Sequence, residues 1–207
     1  MTLSLGFLAS YNGSSMRAIV QAIESGRLDA EAAVVISNNP DAGALAAAEQ
    51  AGIPAYCLNA KRCGSADVLD DEIARVLIEH KVDYVILSGY MKHVGKRTLE
   101  AFPDRILNVH PSLLPAFGGP GMYGLRVHAA VLQAGVEETG ATIHFVDEVY
   151  DHGRILAQVR VPVLPGDTPE SLRTRVGAEE GELYVSVIQQ LIEEQKRPGE
   201  LPRPSQV

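Results

Sequence analysis

Apolar, β-rich runs alternate along this chain with segments of helical period, and this alternation limits the fold more than any other feature. The run "LSLGFLA" reads as a first strand. It is followed by the helix "SSMRAIVQAIESGRL", with Met16, Ile19, Val20 and Ile23 on one face and Gly26 as its stop. "AAVVISN", "IPAYCL", "DYVILSGY" and "RILNVH" read as further strands, separated by the helical segments "GALAAAEQAG", "ADVLDDEIARVLIEHK" and "RTLEAF". In the longest of these, Val68, Leu69, Ile73, Val76 and Leu77 are expected to face inward. A βαβα order implies a parallel sheet wrapped by helices.

The second half changes character. A Gly-rich loop, "AFGGPGMYG", leads into the helix "LRVHAAVLQAG". "GATIHFVDE" and "ILAQVRVPV" then read as antiparallel neighbours linked by "VYDHG". A long helix opens with Thr168 as its cap and Pro169 at its first position. The expected class is α/β: a Rossmann-like, mostly parallel sheet with an antiparallel strand pair in its C-terminal half. It is expected to occupy residues 1–195 as one domain, with a polar, Pro-rich arm at 196–207.

Composition removes several functions. The net charge of −8 lacks the basic footprint of a nucleic-acid binder. No apolar run approaches the length of a membrane span, and the N-terminus has no basic region of a signal peptide. Cys57 and Cys63 have neither metal nor redox-motif spacing, so reduced thiols in a cytoplasmic protein are expected.

Two stretches carry chemistry. Asn12, Gly13, Ser14 and Ser15 lie between the first strand and its helix, where free N–H groups hold anions; they fit a small phosphate cradle and a plain N-cap turn equally well. In "LNVHPSLLP", Asn108 and His110 are two apart at a strand end and so point to the same face. Ligands of open α/β sheets bind beyond such ends. An Asn there can donate to an oxyanion, and a His can act as acid or base at neutral pH. Such a His needs an acid to orient it. Asp147, Glu148 and Asp151 qualify, and Asp151 is the sharpest, in a tight loop where Gly153 permits an unusual turn. His144 on the preceding strand is as well explained by a structural role as by a functional one, and His93 and His152 stay open. His80 is expected to meet its helix's C-terminal dipole, and His128 to lie on a helix surface or in packing. No residue set has metal-ligand spacing, and no Ser sits in a nucleophile elbow.

The segments "SYNGSS", "LSGYMKHV", "LNVHPSLLP", "GATIHFV" and "YDHGRILAQ" occur in this order, and with them the chain resembles the folate-dependent formyltransferases of the phosphoribosylglycinamide type from residue 3 to about 195. The resemblance implies transfer of a formyl group from 10-formyltetrahydrofolate to glycinamide ribonucleotide, with small-molecule partners only, no metal, and a monomer or homodimer. It implies that Asn108, His110 and Asp151 are catalytic. It implies that Asn12, Gly13, Ser14 and Ser15 hold the substrate phosphate and Glu180 its ribose. Met91, Lys92, His93, Val94, Asn108, Val146 and Asp147 would line the folate pocket.

The chain departs from the family pattern at Tyr11, Ser15, Lys92 and His152, and in the long loop after Pro115. A family Arg has no match in "GSAD", for which Arg62 is the substitute to consider. The rival reactions within the resemblance are hydrolysis of formyltetrahydrofolate and formylation of another amine, such as a nucleotide sugar. The hydrolases carry an added N-terminal domain, and the enzymes acting on tRNA an added C-terminal one with a basic surface. A first strand at residue 3 and an acidic balance are expected to set this chain apart from both.

Overall fold

The computed structural model describes residues 2–196. In chain order the elements are β1 (Leu3–Ala9), α1 (Ser14–Glu24), β2 (Ala30–Ser37), α2 (Gly43–Gln50), β3 (Ala55–Cys57), α3 (Ala60–Cys63), α4 (Ala66–Glu79), β4 (Tyr84–Ser88), α5 (Lys96–Ala101), β5 (Ile106–His110), α6 (Leu125–Ala134), β6 (Glu138–Phe145), β7 (Ile155–Pro162) and α7 (Pro169–Lys196). The expected arm lies, from residue 197 on, outside the described residues.

One sheet holds the seven strands in the order β3-β2-β1-β4-β5-β6-β7. The first five run parallel. The β6–β7 pair is antiparallel, as its short connection requires. The sheet also reverses one strand earlier, between β5 and β6, which the strand order alone did not foretell. The segment holding α6 returns the chain to the end where β5 leaves, so β6 enters from there.

Both faces of the sheet are covered. α1 and α7 close one side with Met16, Ile19, Tyr184, Val187 and Ile188 against Leu5, Phe7 and Leu107. α4 and α5 close the other, through Ile73, Val76, Leu77 and Phe102 against Val34, Val85 and Ile106. Burying each such side chain contributes on the order of 1.5–3 kcal/mol before entropy is set against it. The central strands therefore read as unbroken apolar runs.

Two details differ from expectation. Val68 is exposed, because it sits in the first turn of α4 where its N–H is capped by the Ser65 hydroxyl at 3.1 Å. A short helix, α3, fills the stretch around Lys61 and Arg62, capped by Asn59. Four residues are too few to show a period. Arg62 there donates to the Cys57 carbonyl at 3.3 Å. The long helix does start at Pro169, with the Ser171 N–H donating to the Thr168 hydroxyl at 3.2 Å.

Candidate active site

Asn108 and His110 share one face of β5 at the end of the sheet's parallel half. His144 faces the same way, because antiparallel pairing sets it directly opposite Asn108. The β6–β7 loop folds back and brings Asp151 to them. The Asp151 carboxylate lies 3.3 Å from His110 Nδ1 and 3.6 Å from His144 Nε2. Of the three acids the sequence offered, only Asp151 makes this contact. Asp147 is held by the His152 ring at 2.8 Å and by the Val149 N–H at 2.8 Å, and Glu148 is exposed.

The unusual backbone of this loop is at Asp151 itself, whose φ is 54°, and not at Gly153. Asp is among the few side chains that tolerate this region, at a cost of about 1–3 kcal/mol. Gly153 is required for a different reason: a Cβ there would run into the Phe145 carbonyl. Burial alone would raise the Asp151 carboxyl. The hydrogen bond and charge of His110, the Gly119 N–H and nearby His144 outweigh it and hold the group below its ordinary value.

Two backbone groups complete the cluster. The Phe117 carbonyl accepts from His110 Nε2 at 2.8 Å, and the Gly119 N–H donates to Asp151 at 2.9 Å. Both come from the long loop after Pro115, which therefore packs onto the site. Sequence reasoning missed them because main-chain atoms leave no residue signature; the only hint was the Gly cluster.

His144 has a definable tautomer. Its Nδ1–H donates to the Phe145 carbonyl at 2.8 Å, so Nε2 is the free lone pair and accepts from the Asn108 amide at 3.1 Å. Burial lowers its pKa despite the neighbouring carbonyl and carboxylate, which keeps the ring neutral. The amide of Asn108 is thus oriented, with a second N–H that has no other side-chain partner among the described residues.

The expected phosphate cradle lies at the start of α1. Gly13 has φ 63° and its added Cβ would press on Ala44, so only Gly fits. The cap residue Gly13 offers no side chain, and the Met16 N–H donates to the Ser88 hydroxyl at 3.0 Å, which leaves the Ser14 and Ser15 N–H groups free. Arg17 ties the loop to α2 by donating to the Asn12 carbonyl at 3.0 Å and the Gly43 carbonyl at 2.8 Å. Glu180 approaches from α7. Burial pushes its carboxyl up to about 7, with Arg173 and His110 pulling the other way.

The segment expected to line a folate pocket follows β4. Met91, Lys92 and His93 are exposed and Val94 is buried. The Met91 N–H donates to the Ser10 hydroxyl at 2.8 Å. His93 stacks edge-on against Tyr150 at 5.2 Å, which joins this segment to the loop of Val146 and Asp147. Val94 and Val146 both pack into the core beneath. Among the described residues no group of three or more His, Cys, Asp or Glu is arranged to hold a metal. His80 ends α4 as expected, its ring 3.1 Å from the Tyr56 hydroxyl. His128 proves to be fully buried.

The chain has relatives among known proteins. The chain is 44% identical over 191 residues to the chloroplastic phosphoribosylglycinamide formyltransferase of Arabidopsis thaliana, covering 92% of this chain but only 65% of that protein's length. It is 37% identical to the phosphoribosylglycinamide formyltransferase of Haemophilus influenzae, covering 89% of this chain and 84% of the other. Its fold superposes on glycinamide ribonucleotide transformylase 1 from Symbiobacterium toebii with a TM-score of 0.87 and 41% identity, over 93% of this chain and 88% of that one. The Formyl transferase family matches residues 4–188. That match begins in β1 and ends in α7, taking in every element that builds the cluster, and the chain therefore belongs to the formyl transferase family.

Proposed function

We propose that this chain formylates the amine of glycinamide ribonucleotide from 10-formyltetrahydrofolate, a step of purine synthesis. One observation carries the reading: Asp151 faces His110 at 3.3 Å and His144 at 3.6 Å, and His144 orients the Asn108 amide, whose second N–H is left over for a ligand. Two relatives above 30% identity bear the name of this activity.

The amine nitrogen attacks the formyl carbon. A C–N bond forms, the formyl oxygen takes up negative charge, and the bond to folate nitrogen then breaks. The amine loses one proton and the folate nitrogen gains one. The free N–H of Asn108 and the Nε2–H of His110 are the donors for the oxyanion, and the formyl oxygen competes with the Phe117 carbonyl for the latter. Asp151, ionised at neutral pH, faces Nδ1 of the same ring and stabilises its protonated form while the proton moves. The folate enters along Met91, Lys92, His93, Val94, Val146 and Asp147. Asn12, Gly13, Ser14 and Ser15 take the phosphate, and Glu180 a ribose hydroxyl. The free thiols of Cys57 and Cys63 fit a reducing compartment such as the cytoplasm.

The test is to mix the protein with 10-formyltetrahydrofolate, with and without glycinamide ribonucleotide. Tetrahydrofolate released only when the amine is present supports the reading. Release in its absence makes the chain a hydrolase, and release driven by an amino sugar nucleotide makes it a different formyltransferase.

A further inference from the structure

Arg173, Gly177, Glu180 and Tyr184 fall on one face of α7 by helical spacing. Tyr184 fixes where that face points. Its hydroxyl donates to the Leu87 carbonyl at 2.9 Å and lies 3.3 Å from the Leu107 carbonyl, near the end of β4 and the start of β5. Along the helix towards its start, Glu180 lies about 6 Å further on, Gly177 about 10 Å and Arg173 about 16 Å. His110 is three residues beyond Leu107, or about 10 Å. The face therefore rises past the strand ends into the candidate site. The positive charge of Arg173 is among the causes that pull down the Glu180 carboxyl and the buried ring of His128, in keeping with that placement on the helix.

Nothing engages it. Among the described residues Arg173 has no ion pair and no side-chain hydrogen bond, whereas Arg175 two residues on is held by Asp167 at 2.7 Å. Gly177 leaves room beside it, since a Cβ there would meet no atom within 4 Å.

α7 also runs alongside α1 in the same direction. Gly181 lies against Ala18, and further along both segments Glu182 pairs with Arg27 and Lys196 with Asp29. One turn back from Gly181, Gly177 is level with Ser14. One further turn carries Arg173 past the first residue of α1, on the side where its free N–H groups point. The other cation there, Arg17, is committed to the Asn12 and Gly43 carbonyls.

We propose that Arg173, reaching across the gap at Gly177, binds the phosphate monoester of the ribonucleotide together with the cradle of Asn12 to Ser15. This rests on the ribonucleotide reading above. A guanidinium offers two parallel N–H donors to a phosphate, which the cradle's backbone and hydroxyl groups lack as a charge.

The experiment compares glycinamide ribonucleotide with its dephosphorylated riboside, by calorimetry and kinetics, in the wild type, Arg173→Ala, Arg173→Lys and Gly13→Val. Arg173→Ala is expected to weaken the ribonucleotide on the order of 10- to 100-fold and leave riboside affinity in place. Turnover at saturation should fall far less than affinity, and Arg173→Lys should recover part of the loss. Equal weakening of both ligands, or an unchanged ribonucleotide, overturns the assignment. If Gly13→Val abolishes the preference for the phosphorylated ligand while Arg173→Ala keeps it, the cradle stands and Arg173 is excluded. If the wild type shows no such preference, the ribonucleotide reading falls with it.

Discussion

His110 is bonded on both ring nitrogens, and each bond has its own consequence for a mutant. Asp151→Asn removes the charge beside Nδ1 while keeping the shape of the side chain and its contact with the Gly119 N–H. Turnover should fall on the order of 100- to 10,000-fold, the range of acid–base assistance, with ribonucleotide affinity close to normal. Retained turnover would reduce Asp151 to a support for the loop. His144→Phe keeps the volume of the ring and deletes the acceptor that orients the Asn108 amide. A loss of turnover larger than the loss of stability in urea is expected, and the reverse order would make His144 a packing residue.

Glu180 gives a pH-dependent expectation. Its carboxyl is raised from 4.5 to about 7, so the folded state binds a proton more tightly there than the unfolded state does. This favours folding at acid pH, and the advantage is lost as pH rises from the unfolded value through about 7. Glu180→Gln, neutral at every pH, should melt higher than the wild type at pH 8, by about 2–4 °C for each kcal/mol relieved, and match it at pH 4. Coincident melting at both pH values would contradict a half-buried carboxyl raised by desolvation.

At the scale of elements, the contact of α1 with α7 sets the distance between the cradle and Glu180. A Cβ on Gly181 would come 2.6 Å from that of Ala18, so the helices meet backbone to side chain. Gly181→Val should push α7 outward, destabilise by about 1–3 kcal/mol, and raise the KM for ribonucleotide more than that for folate. A purely global loss, with both KM values intact, would show that the two helices do not position substrate.

The elements themselves were largely legible. The seven strands and every helix but α3 follow from apolar period and from Gly or Pro at their ends, because local pattern and tertiary burial agree there. The candidate cluster was legible where side chains carry it, at Asn108, His110 and Asp151. It was illegible where the backbone carries it: the Phe117 carbonyl, the Gly119 N–H and the positive φ of Asp151 follow from how loops close. The reversal at β5–β6 was hidden for a related reason, since a helix between two strands ordinarily signals a parallel crossover.

On the scale of the whole molecule, the acid and the imidazole arrive by different routes. Asp151 is carried on the β6–β7 hairpin, whose strands are joined by one short loop. His110 ends β5, which pairs with β6 on one edge and on the other with β4, itself joined to β1 across some 79 residues of chain. Hairpins close in microseconds, whereas long-range parallel pairing is slow. The two halves of the proposed chemistry thus have different birthdays: on refolding, backbone signals of the hairpin should return first, and formyl transfer only with the last phase, when the parallel half has locked. A refolding time course followed by circular dichroism and by activity would register that lag, and a chain emerging from synthesis in N-to-C order would experience the opposite sequence, with β5 waiting for its acid.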